Sequence, residues 1–345
     1  MAACEPSASA PSLPRVLAGA DAILLVIGGV IGSGIFLVPS TVAAQTGSFA
    51  LGMSVWVLGG LLSLAGALTM AELAAMLPRA GGPYVYLQSA YGPGCSFLWG
   101  WACLLVLRSG GCAALAVAFA LSLKQVVAIP EWAAKLVAVG IVLGLGLVNA
   151  LGTRRGAAIQ NVTTLIKAGA VATVALLPFL MGRAEPAHWA SHAPPQGALL
   201  PGYAAAVIAV LWAYSGWDRV APVAEEVKEA QRTVPRALIG GTLIVIALYL
   251  GANLAYHSVL AVGELARTEH AAAAVLERLW GPVGRSLLGA LVMCSTFGGV
   301  NSSLLVVPRI LFAMGRDGSF LPVLARVHPR YQTPAVAIGV MTLWT

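Results

Sequence analysis

Eight long apolar runs, separated by short polar knots, dominate this chain of 345 residues. They fall at about 18–44, 49–75, 97–123, 132–151, 159–181, 203–223, 237–257 and 283–307. A helix needs about 20 apolar residues to cross the hydrocarbon of a bilayer, so each run reads as a membrane-spanning helix. Only 10% of the residues are charged, against about 25% in a soluble domain, too few to dress a surface in water. The expected class is therefore an all-α integral membrane protein whose first partner is the lipid bilayer. A ninth run starts near Pro334 and reaches only Thr345, so the chain is expected to be truncated at its C-terminal side. Residues 1–14, rich in Ala, Ser and Pro, read as a disordered cytoplasmic tail, with 15–345 forming the transmembrane domain. The first apolar run is too long for a signal-peptide core and lacks a clear cleavage site.

The net charge of +7 suggests nucleic acid only until the charges are placed. They sit in the knots, and topology accounts for them without a nucleic-acid partner. With the N-terminus in the cytoplasm, that side collects Arg15, Arg79, Arg154, Arg155, Arg219, Lys228, Arg232, Arg236, Arg309, Arg316, Arg326 and Arg330. The outer side holds fewer: Lys124, Lys135, Arg183, Arg267, Arg278 and Arg285. The five cysteines form no CxxC pair and read as small packing residues, so no metal or cofactor is expected. The histidines are scattered, mostly in loops, and neither HExxH nor a paired-acid motif occurs, which argues against a membrane transferase.

Two of the runs are interrupted. Run one contains Gly28-Gly29-Val30-Ile31-Gly32-Ser33-Gly34-Ile35-Phe36, and four glycines in seven residues weaken a helix at mid-membrane. Tight helix packing through Gly28 and Gly32 is the alternative reading. Run six contains Trp212-Ala213-Tyr214-Ser215-Gly216-Trp217-Asp218; here the alternative is a frayed helix end. The breaks are five spans apart and run in opposite directions, the pattern of an inverted repeat. Its first half would cover about 18–181 and its second would start at about 203, incomplete.

Unwinding frees backbone groups that a membrane tolerates only where protein or a polar ligand satisfies them. Beyond the first break, the N–H groups of Ser33, Gly34 and Ile35 carry partial positive charge and suit a carboxylate. Before the second, the carbonyls of Trp212, Ala213, Tyr214 and Ser215 carry partial negative charge and suit an ammonium. A carboxylate socket beside an ammonium socket fits a zwitterion, and the α-amino acid is the obvious one. The candidate substrate-binding residues are Ile31, Gly32, Ser33, Gly34, Ile35, Trp212, Ala213, Tyr214, Ser215 and Gly216.

Gly32-Ser33-Gly34-Ile35-Phe36 resembles the first-helix motif of the amino acid–polyamine–organocation superfamily. Ala213 to Asp218, followed by Glu225-Glu226-Val227-Lys228 and Pro235-Arg236-Ala237, is similar to that family's sixth helix and the loop after it. Glu72-Leu73 with Pro78-Arg79-Ala80-Gly81-Gly82-Pro83-Tyr84 resembles the end of its second helix, and Pro308-Arg309 with Met314-Gly315-Arg316-Asp317-Gly318 the end of its eighth. The branch resembled is the L-type amino acid transporter-like one. The resemblance implies a leucine-transporter-type inverted-repeat fold with discontinuous helices 1 and 6. About eight full helices and part of a ninth are present, and the family's tenth is absent.

Ionisable residues inside a span are functional candidates by default. Lys167 lies in run five. In sodium-independent members of the resembled family, a lysine at the matching position stands where others bind a coupling sodium. The alternative is a lysine snorkelling to the headgroups. Arg108, halfway along run three, calls for either a hydrated vestibule or an acidic partner. Asp218 is a candidate for an inner gate or an interfacial cap, Glu72 for a gate or interface residue, and by resemblance Trp212 sits at the family's aromatic gate. These readings converge on sodium-independent exchange or proton-coupled uptake of amino acids by alternating access. A transport-inactive sensor or assembly partner of the same fold is the alternative. The expected location is the plasma membrane, of the bacterial inner-membrane type; nothing in the sequence sets an oligomeric state.

Overall fold

The computed structural model describes residues 11–345, so residues 1–10 of the expected tail lie outside the described residues. Leu13, which composition assigns to that tail, is instead buried at 4% exposure. Its N–H donates to Glu225 Oε1 at 2.9 Å.

The first span is a pair, α1 (Gly19–Val30) and α2 (Gly34–Thr46), bent by 42° at the break between them. Asp21 in the first turn of α1 reaches back to the N–H of Ala18 at 2.7 Å, satisfying one of the donors a helix start leaves open. Helix α3 (Phe49–Met76) crosses next, and the short α4 (Pro83–Tyr91) follows, with Pro83 in its first turn. The third span runs from α5 (Pro93–Ala102) through a π-helical stretch (Cys103–Leu107) into α6 (Arg108–Val126). Helices α7 (Glu131–Ala150) and α8 (Thr153–Leu180) complete five spans.

After an irregular loop, α9 (Leu199–Ala213) descends to a second break and continues as a 3₁₀ stretch, Trp217–Glu226. Gly216 turns the chain there with φ of 108°, a region L side chains rarely enter. Then come α10 (Ala230–Val259), the surface helices α11 (Val262–Leu265) and α12 (Ala271–Trp280), the 35-residue α13 (Pro282–Arg316) and α14 (Ala335–Trp344). Among the described residues, seven helices are long and apolar enough to span, or eight with the bent pair counted as one. Their positions match the eight apolar runs. The amphipathic spacing of residues 270–280 predicts a short surface helix with Leu276, Leu279 and Trp280 on one face; Leu276 and Leu279 of α12 are buried, but Trp280 is 39% exposed.

The helices share two apolar cores. One gathers α1, α6, α7, α13 and the 3₁₀ stretch, with Leu25, Val223, Leu304 and Leu311 at its centre. The other gathers α2, α3, α9, α10 and α12, with Ile35, Trp56, Val210 and Tyr256. Helix α13 packs against α6 and α8, and α10 against α1, α3 and α8, which leaves both helix breaks in the interior.

The candidate site: two helix breaks on one cavity

The two breaks meet back to back. A Cβ placed on Gly34 would fall 2.8 Å from Ala213 Cα, and one on Gly29 would fall 2.6 Å from the carbonyl oxygen of Gly216. Only glycine lets the backbones approach this closely, so the glycine cluster serves both the break and the packing. The open ends of both half-helices line a cavity of about 510 Å³.

At the start of α2, Phe36 and Leu37 donate to Ser33 O at 3.0 and 3.2 Å. The N–H groups before them belong to the first turn, which has no intrahelical acceptors. At the end of α9, Ser215 donates twice to Trp212 O, from its N–H at 3.1 Å and its Oγ at 2.7 Å. The Tyr249 hydroxyl lies 3.1 Å from Val30 O and 3.3 Å from Ala213 O, so it can donate to either half-helix end.

Lys167 is 3% exposed. It does not snorkel to a headgroup. Its Nζ donates to Gly28 O at 2.8 Å and Ile31 O at 2.9 Å. A buried ammonium needs such partners, and α1 ends with the carbonyls that supply them. Ser295 of α13 adds a longer bond, 3.4 Å, to Ile31 O. Lys167→Met should leave two buried carbonyls without this donor, at about 1–3 kcal/mol each. A lowered melting temperature in detergent would register that loss; an unchanged one would mean the ammonium is not bound there.

Of the residues the sequence singles out, Ile31, Gly32, Ser33, Gly34, Trp212, Ala213, Ser215 and Lys167 line the cavity. Ile35 and Tyr214 are buried in the second core, where Tyr214 packs edge-on against Trp56 with ring centroids 5.8 Å apart. Gly216 lies behind the wall, against Gly29. Asp218 pairs with Arg108 at 2.8 Å. They line a small pocket of about 10 Å³ that shares Arg219 with the larger cavity. The acidic partner expected for Arg108 is thus Asp218. Glu72 is exposed on α3, away from the cavity.

Several contributors went unnoticed in the sequence. Ser295, Thr296, Gly299 and Ser302 of α13 and Gly111 and Leu115 of α6 complete the walls. Arg219, grouped with the loop charges, lines the cavity. Arg309, grouped likewise, is 0% exposed and pairs with Glu226, also 0% exposed, at 2.6 Å.

A bundle of this topology is found in secondary transporters. The structure aligns with a substrate-bound, outward-open Na⁺-coupled sialic acid symporter at a TM-score of 0.58 and 11% identity, covering 96% of this chain and 70% of that one. It aligns with a nucleobase–cation-symport-1 family transporter in a closed conformation at 0.59 and 13%, covering 98% and 73%. At such identities the likeness establishes the leucine-transporter-type fold alone. The family comes from sequence: residues 17–345 match the amino acid permease family, and the chain belongs to it. It is 33% identical over 321 residues to the serine/threonine exchanger SteT of Bacillus subtilis, covering 92% of this chain and 72% of that protein. It is 30% identical over 332 residues to the human b(0,+)-type amino acid transporter 1, covering 95% and 68%. The human Asc-type amino acid transporter 1 is 31% identical, with 92% and 62% covered. These relatives place the chain in the L-type-like branch of the amino acid–polyamine–organocation superfamily, whose business is amino acid transport.

Proposed function

We propose that this protein is a sodium-independent amino acid exchanger of the plasma membrane, with its N-terminus in the cytoplasm. Residues 18–181 and those from about 203 onward act as two inverted halves around the paired breaks. The observation that carries this reading is the meeting of both open half-helix ends on one cavity, beside a lysine that fills the end of α1. The substrate carboxylate is held by the N–H groups of Ser33 and Gly34, where the helix dipole adds up to about 2 kcal/mol. The ammonium is held by the carbonyl end of α9 around Ala213. Since these contacts read only the part common to all α-amino acids, two substrates can use the same site in turn. That is what exchange requires. Similarity to a serine/threonine exchanger supports it.

The Lys167 amine occupies the carbonyls of Gly28 and Ile31, so no sodium is needed there. Trp212 acts as the outer lid and the Arg108–Asp218 pair as the inner gate, with Glu72 at the cytoplasmic interface. Efflux of a labelled amino acid from proteoliposomes tests the proposal. External unlabelled amino acid should raise efflux several-fold, equally in sodium and in choline buffer. A sodium requirement, or efflux indifferent to external amino acid, would refute it. Asp218→Asn should weaken the inner gate by about 1 kcal/mol, the value of a partly exposed ion pair. The expected sign is efflux without external substrate that rises roughly fivefold.

A further inference from the structure

Arg219 is the one cation at the site that the mechanism above leaves unused. It follows Asp218 on the 3₁₀ stretch, but the Asp218 carboxylate is taken by Arg108 at 2.8 Å. Among the described residues no ion pair includes Arg219; its Nη1 reaches only two hydroxyls, Ser303 Oγ at 3.2 Å and Ser302 Oγ at 3.5 Å. Its Nε is buried and has no partner among the described residues. An uncompensated guanidinium inside a membrane protein is costly, and such groups face a cavity or a ligand. Arg219 does face one, since it lines the central cavity together with Lys167.

Its route there is specific. The side-chain stem crosses the break of α1 over Gly29, where a Cβ would fall 2.6 Å from Arg219 Cγ. The guanidinium therefore lies beside the α1 break, against Ser302 and Ser303 of α13, and Ser302 lines the same cavity. Among the described residues, no aspartate or glutamate lines this cavity. A zwitterionic backbone is electrically balanced by its own two sockets, so the charge on Arg219 is left for the substrate's side chain.

We infer that Arg219 selects the side chain of the cargo, and that the preferred cargo is an α-amino acid ending in a carboxylate, with basic amino acids rejected. The inference rests on the amino acid reading above. A guanidinium offers a planar fork that matches a carboxylate with two parallel hydrogen bonds, which an ammonium cannot do. A lysine or arginine side chain would instead meet two cations and no acid.

The test is trans-stimulated uptake of radiolabelled L-glutamate, L-serine and L-arginine into proteoliposomes holding the full chain. Wild type should take up glutamate at least about tenfold faster than arginine, the scale of one charge-assisted contact. Arg219→Gln should lower the ratio of glutamate to serine uptake about tenfold, and Arg219→Lys should lower it less, because charge survives while the fork is lost. A ratio within one variant is independent of how much protein folds, and the wild-type comparison needs no variant. Uptake of serine with arginine accepted as readily as glutamate, or a ratio unmoved by Arg219→Gln, would overturn the inference and leave amino acid transport standing. Absence of uptake for all three would overturn both.

Discussion

Gly34→Val should abolish transport while the protein still inserts in the membrane. A Cβ at Gly34 would lie 2.8 Å from Ala213 Cα and 2.9 Å from Ala213 Cβ, distances that real Cβ contacts essentially never show. The obstacle is backbone, so no rotamer change relieves it. The start of α2 must move away from the end of α9, and the two half-helix ends no longer share a wall. Overpacking of this kind costs about 1–3 kcal/mol, but the larger loss is geometric, because sockets held on separate helices tolerate little displacement. Uptake should fall to the level of empty liposomes. Gly144→Val is the control: a Cβ there meets nothing within 4 Å, so uptake should persist. Equal behaviour of the two variants would count against the shared wall.

The second large effect is expected at Arg309. Its Nε and Nη2 hold both oxygens of Glu226, at 2.6 and 3.1 Å, while Nη2 also donates to Thr153 Oγ1 at 2.8 Å and Nη1 to Leu305 O at 2.6 Å. One side chain on α13 thus ties the end of the 3₁₀ stretch to the start of α8. The neighbouring Glu225 reaches other elements, accepting from Arg316 at 2.8 Å and from the N–H of Ala80 at 3.0 Å. Removing one member of a fully buried pair strands the other's charge and costs about 3–5 kcal/mol. Arg309→Ala should therefore lower unfolding stability by that amount in detergent. Arg309→Met combined with Glu226→Leu removes both charges and should recover much of the loss. If the double variant is as unstable as the single, the cost lies in packing and not in the orphaned carboxylate.

The spans and both breaks were legible in the sequence because their signals are local. Apolar length marks a span, a Gly-rich or Ser-Gly interruption marks a break, and a lone lysine in an apolar run asks for a partner. Helix starts were less visible. Helix α8 begins at Thr153, not near residue 159, because Arg154 and Arg155 occupy its first turn and hide it from a hydropathy reading. Helix α10 begins at Ala230 and runs through Pro235. The pairings were not legible at all. Arg108 and Asp218 were each noticed alone, and only folding brings together residues 110 apart. Arg219 and Arg309 sit at the ends of apolar runs, where the positive-inside rule counts them as loop charges; the structure turns both inward. Tyr249 gave no signal, since a tyrosine in an apolar helix reads as core until its hydroxyl is found between two broken helix ends.

In the proposed mechanism the paired breaks recognise the two charges of an α-amino acid. Competition against labelled amino acid uptake in proteoliposomes tests it most directly, using three analogues of one substrate: the amino acid itself, its N-acetyl derivative and its decarboxylated amine. Only the intact zwitterion should compete, and the Gly34→Val protein should take up nothing. Competition by the amine or the N-acetyl acid as strong as that by the amino acid would contradict it.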